Sequence, residues 1–473
     1  MKKWVRLLLT VVLVFLLTGV SFYFGWQDAY AASADGSDGW PTYLHDSQHT
    51  GYSSSTAPST SELRWFYNTT VGVYSSPAVA NGRVTVGVSN GVVLALNSTT
   101  GEKLWSYDTG AGSYSIIRNS PAIDSGRVYI GTDDHDEPYA RNNLCCLNES
   151  TGELLWKYLA SDGIAYSPLV SNGKVFFGAG YSVYCLSASA GSFIWNFTTD
   201  RDDARWDNYI NGVLAILDDV LFVSSSDARL YAINASTGVK IWRSSVDDPD
   251  RFGYAVSGDD TPLVYAGKVF YRSNHQVFCI NAADGTPIWN TAESIADLSY
   301  PPAVANGKVF IGANIGGGGS YTFFCFNAST GSSMWNSTPM TSSVGPYLSS
   351  PAVADGKVFF GTSNGTQSDW FIGTGKLYCL NETTGSQIWS YQGVTRTFGD
   401  PVISDGTVFV TCHNIPAFGD PLAGGVYAFG EKWRTSLSLF LDSGSLFGLR
   451  VYLSGTFERN GTAVGGCFDC VVV

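Results

Sequence analysis

One sequence frame returns along most of the chain and constrains the fold more than any other feature. Residues 75–105 read SSPAVANGRVTVGVSNGVVLALNSTTGEKLW, and residues 349–389 repeat the same frame around an insertion. A tryptophan ends each copy, and successive tryptophans lie 39 to 54 residues apart. These tryptophans are Trp65, Trp105, Trp156, Trp195, Trp242, Trp289, Trp335 and Trp389. A period of about 40–50 residues is the length of four short strands, the size of one propeller blade.

Each copy divides into strands by its own turn signals. Asn81-Gly82 separates two short runs that contain valines, and Asn-Gly favours a type I′ hairpin because both turn residues take positive φ. A second turn of the form Asn-x-x-x-Gly ends at Gly101, just before Leu104 and Trp105. The sequence therefore predicts an antiparallel meander of four strands in every unit.

The number of units predicts how the ring closes. Trp65 ends a fourth strand that has no preceding three, and the last unit, 401–429, has three strands and no closing tryptophan. We therefore predict an all-β fold, an eight-bladed β-propeller of four-stranded antiparallel blades. The N-terminal strand around 63–66 should complete the last blade beside 426–429, because closure removes exposed sheet edges.

The N-terminus and the charge indicate a protein exported from the cytoplasm. Basic residues up to Arg6 precede an apolar run, and Ala29-Tyr30-Ala31 matches the small-x-small cleavage pattern of a secretory signal. An uncleaved membrane anchor is the alternative, because the apolar stretch is nearly long enough to span a bilayer. The net charge of −13 argues against nucleic acid as a partner, since phosphate binding needs a basic surface.

These features divide the chain into four predicted segments. They are a signal peptide or anchor at 1–31, a lead-in segment at 32–62, the propeller at 63–430 and a tail at 431–473. The tail resembles the start of an immunoglobulin-like module, but its 43 residues are too few for a sandwich of about 100. We expect a monomeric, secreted or cell-surface protein that meets a membrane only through a possible N-terminal anchor.

The repeat resembles a known family. The frame SPAVANGRVxVG…LxALNxxTGExLW is similar to the pyrroloquinoline-quinone-type (PQQ-like) propeller repeat, and the opening Trp40-Pro41-Thr42-Tyr43…Asp46…Thr50-Gly51-Tyr52 resembles the lead-in of secreted members. The resemblance implies a family of quinoprotein dehydrogenases, an outer-membrane assembly lipoprotein and surface proteins. Such a dehydrogenase needs an Asp base, Glu and Asn ligands for calcium, and a Trp beneath the quinone, and this set cannot be mapped onto the chain residue by residue.

Binding is predicted on one face of the ring. The turns between strands 1 and 2 and between strands 3 and 4 are short and share one face, which we call the short-turn face. The long insertions fall on the other, the long-loop face, at 131–143, 199–209, 246–260, 313–321, 362–375 and 411–424. Variable loops on a rigid scaffold often carry binding, although neutral variation in loop length is the alternative. The candidate partner contacts are His135, Trp206, Asp248, His275, Trp370 and His413.

An acidic run is the candidate metal site. Asp133, Asp134, Asp136 and Glu137 place carboxylates close together, and Ca²⁺ takes several carboxylate and carbonyl oxygens. The run lacks the Asp-x-Asp-x-Asp-Gly pattern, so a solvated acidic loop is the alternative.

The cysteines are predicted to be structural. Five of them share one position in the third strand, where other units have alanine, which favours small buried thiols. They are Cys146, Cys185, Cys279, Cys325 and Cys379. Cys145-Cys146 superficially resembles the vicinal disulfide of quinoprotein dehydrogenases, but an extended strand does not suit that strained ring.

We therefore predict a binding or scaffolding module for a protein or carbohydrate at the cell surface, with no cofactor, and we favour a non-enzymatic role. The chain has five histidines and no Ser/His/Asp grouping, zinc-protease motif or phosphate loop. A PQQ-dependent dehydrogenase of alcohols or sugars, with PQQ and Ca²⁺, is the alternative function.

Ten Asn-x-Ser/Thr sequons predict a glycoprotein. Five of them are the same Asn of the turn between strands 3 and 4, at Asn97, Asn148, Asn234, Asn327 and Asn381. Turn chemistry is the alternative explanation for these five, because Asn often bonds its own backbone in a turn.

Overall fold

The computed structural model describes residues 39–431 apart from a set of connections, and it describes the backbone of four short stretches in the tail. The connections left out are 111–116, 133–142, 165, 201–209, 211, 226–228, 245–260, 273–275, 292–299, 315–319, 338–339, 342–347, 364–374, 394–396 and 414–423. The tail stretches are 434–442, 450–459, 462–463 and 470–472. In these described residues the regular elements are β-strands, and no helix is long and apolar enough to cross a membrane.

The strands form eight blades around a central channel, which confirms the predicted fold class. The first strand, β1 (Leu63–Asn68), belongs to the last blade, and the strands after it form seven blades in sequence order. Blades 1 to 4 contain β2 (Ala78–Ala80), β3 (Arg83–Val88), β4 (Val92–Asn97) and β5 (Lys103–Asp108); β6 (Ala122–Asp124), β7 (Arg127–Gly131), β8 (Asn143–Asn148) and β9 (Leu154–Leu159); β10 (Leu169–Ser171), β11 (Lys174–Ala179), β12 (Ser182–Ser187) and β13 (Phe193–Thr198); and β14 (Ala215–Leu217), β15 (Val220–Ser225), β16 (Arg229–Asn234) and β17 (Lys240–Arg243).

Blades 5 to 7 continue the same antiparallel order. They contain β18 (Leu263–Tyr265), β19 (Lys268–Arg272), β20 (Val277–Asn281) and β21 (Pro287–Asn290); β22 (Ala303–Ala305), β23 (Lys308–Asn314), β24 (Ser320–Asn327) and β25 (Ser333–Asn336), with β26 (Met340–Thr341) paired to β24; and β27 (Ala352–Ala354), β28 (Lys357–Gly361), β29 (Lys376–Asn381) and β30 (Gln387–Gln392). The first strands β2, β6 and β10 lie side by side, as do β14, β18, β22 and β27, so the short inner strands line the channel.

Blade 8 closes the ring between the two ends of the propeller. It contains β32 (Val402–Ser404), β33 (Thr407–His413) and β34 (Gly424–Phe429), with β31 (Thr397–Phe398) paired to β33. Its fourth strand is β1, which pairs antiparallel with β34 so that Leu63 faces Phe429 and Phe66 faces Tyr427. The predicted closure by the N-terminal strand is confirmed. The tail forms a separate antiparallel sheet of β35 (Arg434–Asp442), β36 (Arg450–Arg459), β37 (Thr462–Ala463) and β38 (Cys470–Val472).

The turn between strands 1 and 2 has the predicted backbone conformation. In blade 1, Asn81 has φ 48° and Gly82 has φ 73°, and Asp355 and Gly356 of blade 7 show the same pair of positive angles. Asn, Asp and Gly tolerate this region, which is why these dipeptides recur at the hairpin.

The repeat tryptophans join neighbouring blades on the short-turn face. The indole N–H of Trp105 donates to the carbonyl oxygen of Glu149 at 2.8 Å, in the 3–4 turn of the next blade. The Trp105 ring lies against Gly152, where a Cβ would come within 2.6 Å of the ring. The other indoles donate at 3.1 or 3.2 Å to the carbonyl oxygens of Ser98, Ala188, Ala235, Ala282, Ala328, Glu382 and Pro58. Trp389 donates to the Pro58 carbonyl oxygen because blade 8 has no 3–4 turn, and the chain that enters β1 takes the place of that turn.

Candidate functional site

The lead-in segment fills the centre of the ring. The middle residue of an inner strand directs its N–H away from its own blade, because hydrogen bonding alternates along an antiparallel pair. Carbonyl oxygens of the lead-in accept six of these N–H groups at 2.7 or 2.8 Å. The donors are Val79, Ile123, Ile216, Val264, Val304 and Val353, and the acceptors are Trp40, Pro41, Ser47, Gln48, Thr50 and Gly51. We call residues 40–57 the channel plug.

The plug folds locally around one aspartate. Asp46 Oδ1 accepts the backbone N–H groups of Gln48 at 3.0 Å and of Thr50 at 3.1 Å, and Oδ2 accepts the Thr50 hydroxyl. Gly51 has φ +67°, and a Cβ there would come within 2.8 Å of the Ala303 side chain. The spacing Asp46…Thr50-Gly51 in the sequence is therefore the signature of a turn packed against the inner strands.

A second layer, in which most residues are polar, lies on the long-loop side of the plug. In each blade, this layer is formed by the residue three positions before the middle residue of the inner strand. The two residues are about 10 Å apart along the strand. These eight residues, which we call the belt, are Ser76, Ser120, Ser167, Val213, Thr261, Pro301, Ser350 and Asp400. The Ser76 N–H donates to Ser120 Oγ at 3.0 Å, and the Ser120 N–H donates to Ser167 Oγ at 2.7 Å. Hydroxyls thus connect neighbouring blades, except where Val213 and Pro301 provide none.

Asp400 is the one charged residue of the belt. Its Oδ2 accepts the Ser76 hydroxyl at 2.7 Å, and its Oδ1 accepts the Ser350 N–H at 2.7 Å. The Tyr43 hydroxyl of the plug lies 3.1 Å from Ser350 Oγ. Burial raises the pKa of Asp400 above its ordinary value, against hydrogen bonds from Ser76, Ser350 and Tyr43 that lower it. Asp400 as a whole residue is intermediate in exposure, and its carboxyl group is a titratable group held at the belt.

Two buried side chains beside the belt have polar atoms without a hydrogen-bond partner in the described part of the chain. His49 is 0% exposed, lies 6.1 Å from Tyr43 between ring centroids, and neighbours the Pro262 backbone. The Pro262 carbonyl oxygen lies close enough to the ring to raise its pKa, while neither ring nitrogen reaches full hydrogen-bond geometry with a described residue. Burial lowers the pKa of His49 to about 4, so the ring is neutral at pH 7. Asn119 donates its Nδ2 to the Ile164 carbonyl oxygen at 2.5 Å and leaves Oδ1 without a partner.

Most of the residues predicted for the long-loop face lie outside the described residues. These are Asp133, Asp134, His135, Asp136, Glu137, Trp206, Asp248, His275 and Trp370. His413 is described at the end of β33, where its ring lies 4.3 Å from that of Tyr74. Within the described residues, no group of three or more His, Cys, Asp or Glu side chains is placed to hold a metal. The calcium site at 133–137 therefore stays a prediction.

The cysteines of the third strands are buried free thiols, as predicted from the repeat. Cys145 and Cys146 are also free, and both lie in β8 rather than in the channel. Burial raises the pKa of Cys145 to about 11 and that of Cys146 to about 12. They are packing residues in this structure.

Comparison with known families agrees with the repeat frame. A PQQ-repeat family model, described as outer membrane protein assembly factor BamB, matches residues 50–181, 117–337 and 325–415. The chain belongs to this family. The resemblance inferred from the repeat is confirmed.

Several of the curated relatives of the chain are named as alcohol dehydrogenases. The quinohemoprotein alcohol dehydrogenase of Comamonas testosteroni is 27% identical over 199 residues, which are 38% of this chain and 27% of that protein. Quinohemoprotein alcohol dehydrogenase ADH-IIG of Pseudomonas putida is 28% identical over 203 residues, which are 38% of this chain and 26% of that protein. The chain spans about a quarter of the length of these relatives.

Solved structures show the same fold. The Comamonas testosteroni enzyme superposes with a TM-score of 0.65 at 17% identity, covering 87% of this chain and 84% of that one. BamB from Moraxella catarrhalis superposes with a TM-score of 0.58 at 15% identity, covering 78% of this chain and 99% of that one.

Two predictions from the sequence are wrong against these comparisons. We expected a binding or scaffolding module for a protein or glycan, and we expected no cofactor. The relatives are named as quinohemoprotein alcohol dehydrogenases, which supports the alternative of a quinone-dependent enzyme. The physical reason for the error is that the sequence motifs marked the blades, whereas the polar groups of the channel come together only in three dimensions. The extracytoplasmic part of the localisation prediction agrees with the outer-membrane description of the family model.

The sequence contained one signal for the channel site that we did not use. Most inner strands begin with Ser-Pro or Thr-Pro, and the last begins with Asp400-Pro401. Asp400 stands at a position where most other blades have serine or threonine. A departure from the repeat of this kind indicates that the residue was selected for something other than packing. His49 gave no such signal, because it lies in a segment that is not repeated.

Proposed function

We propose that this protein is a PQQ-dependent dehydrogenase of alcohols or sugars that works outside the cytoplasm. The proposal is supported by its similarity to quinohemoprotein alcohol dehydrogenases. The observation that carries it is Asp400, a carboxyl group on the channel belt that has a raised pKa and is held by Ser76 and Ser350. Perturbed carboxyl groups in a central cleft are typical of proton transfer sites.

The position of the plug limits where a flat ligand can bind in the channel. It hydrogen-bonds the middle residues of six inner strands, so this level of the channel is occupied by the protein itself. The ligand would lie on the long-loop side of the plug, at the belt. His49 and Asn119, next to this level, have polar atoms without a partner among the described residues. Arg272 is buried on the same side, at the end of β19, and brings a positive charge that suits an anionic quinone. These three side chains would supply polar and charged groups of the kind that an anionic quinone and Ca²⁺ bind.

These side chains would hold the cofactor by complementary chemistry. Neutral His49 can donate one hydrogen bond to a carboxylate or carbonyl oxygen. The Asn119 Oδ1 atom is an oxygen of the type that Ca²⁺ binds. When bound, the quinone supplies the two-electron acceptor for oxidation of the alcohol carbon.

Asp400 would take the proton of the substrate hydroxyl. Its raised pKa makes the carboxylate a better proton acceptor than an ordinary aspartate. The Ser76 hydroxyl and the Ser350 N–H fix both oxygens of the carboxyl group, so it cannot turn away from the channel. The plug occupies the channel at the level of the middle residues of the inner strands, so substrate and water would reach Asp400 from the long-loop face.

Loading the purified full-length protein with PQQ and Ca²⁺ tests the proposal. We expect quinone absorbance to stay with the protein through gel filtration, and an alcohol or sugar to reduce an added dye. In Asp400→Asn the quinone should remain bound, while turnover should fall by about 10²–10⁴-fold, the usual contribution of a general base. Failure to retain the quinone, or full activity in Asp400→Asn, would contradict the proposal.

Asp405→Asn is the matched control. Asp405 lies in the same blade, in the 1–2 hairpin of the short-turn face, with φ 48°. Asn81 occupies the equivalent position in blade 1 with the same φ of 48°, so this substitution suits the backbone. The control should retain wild-type turnover.

A further inference from the structure

The turns between strands 3 and 4 repeat one hydrogen-bond pattern. Asn97 Oδ1 accepts the backbone N–H groups of Thr99 and Thr100, both at 2.9 Å. The same pair of bonds, at 2.8 to 3.1 Å, forms at Asn148, Asn234, Asn327 and Asn381. The turn therefore explains why asparagine recurs at this position.

The turn does not explain the hydroxyl that completes each sequon. In blade 5, Asn281 Oδ1 accepts the N–H of Ala283 at 3.0 Å, so the turn forms with alanine two residues after the asparagine. At the same position, the hydroxyls of Thr99, Ser150, Ser329 and Thr383 form no hydrogen bond with the described residues and are exposed. Ser236 is the exception, because its hydroxyl bonds Asp219. Four of the five hydroxyls thus have no structural role in the described chain.

We propose that the short-turn face carries N-linked glycans at Asn97, Asn148, Asn234, Asn327 and Asn381. Attachment of an N-linked glycan needs an asparagine amide and a hydroxyl two residues later. The turn accounts for the asparagine but not for the hydroxyl. The Oδ1 atoms are engaged in the turn, whereas the Nδ2 atoms donate to no described residue. This inference does not depend on the proposed dehydrogenase activity.

The modification is a simple group transfer. The donor is a sugar activated as a diphosphate ester of a lipid, supplied with its transferase on the exported side of the membrane. A bond forms between Nδ2 and the anomeric carbon, the bond from that carbon to the diphosphate oxygen breaks, and Nδ2 loses one proton to the medium. No electron is gained or lost by either partner.

The positions of the turns give the glycans a direction. The residue after each asparagine is fixed by the tryptophan of the preceding blade, as Trp105 does at Glu149 and Trp195 does at Ala235. All five sugars would therefore project from the short-turn face, opposite the belt. The sugars would therefore not cover the long-loop end of the channel.

Glycopeptide mapping of the protein purified from its source organism tests the inference. We expect a sugar mass on the five turn asparagines and none on Asn281, whose turn lacks the hydroxyl. Thr99→Ala and Ser329→Ala should each remove one glycan and leave the Tm within about 1 °C, because the turn bonds use the backbone N–H. The reverse change, Ala283→Ser, creates a sixth sequon in an existing turn and should add a glycan at Asn281.

The outcomes separate this proposal from plain turn chemistry. Five unmodified turn asparagines in the native protein would overturn it. Sugars confined to the strand sequons Asn196 and Asn336 would also overturn it, because those residues lie on outer strands. An Ala283→Ser protein without sugar on Asn281, while the other turns are occupied, would show that the turn geometry is not what the transferase accepts.

Discussion

The two ends of the blades follow different rules. On the short-turn face, each tryptophan makes one contact eight times, an indole hydrogen bond to the next blade and a ring packed on the turn. On the belt, the equivalent residue changes from Ser76 to Val213, Pro301 and Asp400 as the ring is followed round. The repeated tryptophan contact at the short-turn face joins every blade to the next in the same way. The different residues of the belt can contact different sides of one ligand. We therefore attribute the stability of the ring to the short-turn face and the proposed proton transfer to the channel.

Removing the lead-in segment and β1 removes contacts at the short-turn face and in the channel together. We expect it to have the largest effect on stability. A variant without residues 39–68 lacks β1, the plug and the Pro58 carbonyl that accepts the Trp389 indole N–H. It also leaves six inner-strand N–H groups without their carbonyl partners. A buried unpaired donor costs about 1–3 kcal/mol, so the loss is comparable with the whole stability of a domain, about 5–15 kcal/mol.

We therefore expect this deletion variant to aggregate or to lose cooperative unfolding. Gel filtration and a thermal melt measure both, with a variant that begins at residue 37 as the control. A monodisperse deletion variant with the Tm of the control would contradict the role assigned to β1 and the plug.

Substitution of a single blade tryptophan tests the uniform end alone. Trp195→Ala should lower the free energy of unfolding by about 3–5 kcal/mol, because a large buried ring is lost from the blade interface. Trp195→Phe keeps most of the packing but removes the bond to the Ala235 carbonyl oxygen, and should cost less, about 1–3 kcal/mol. Urea unfolding measures both.

The same substitution at Trp242 provides the comparison between blades. Its indole N–H donates to the Ala282 carbonyl oxygen at 3.1 Å, close to the 3.2 Å of the Trp195 bond. If the short-turn face is uniform, Trp242→Ala should match Trp195→Ala within about 1 kcal/mol, allowing for differences in burial. A much larger gap would show that the blades are not equivalent at this end.

The fold was predictable because its signals are local and repeated. Asn81-Gly82 and Trp105 each report a turn or a strand end within a few residues, and the repeat multiplies that evidence. The channel site was not predictable in this way, because Ser76 and Asp400 are 324 positions apart in sequence and meet only when blade 8 closes beside blade 1. The unpartnered nitrogens of His49 depend on what packs around the plug, which no periodicity reports.

The titration of His49 in the channel is expected to change how stability depends on pH. Burial lowers the pKa of His49 from 6.5 to about 4, partly opposed by the charge of the nearby Asp46. Between these values the unfolded chain binds a proton that the folded chain does not, so the contribution of His49 to stability falls as the pH falls from 6.5 to 4. A difference of about 2.5 pKa units corresponds to about 3 kcal/mol.

His49→Gln removes this titration and should flatten the loss of stability in that range. Asp400 works in the opposite direction, because a raised carboxyl pKa makes the folded chain bind the extra proton as the pH falls. Urea unfolding of both proteins at pH 7 and pH 4.5 isolates the contribution of His49 as a difference of differences, in which the contribution of Asp400 cancels. An identical pH dependence in the two proteins would mean that His49 is already charged or solvated in the folded state, and the channel would then lack the neutral imidazole assigned to the cofactor.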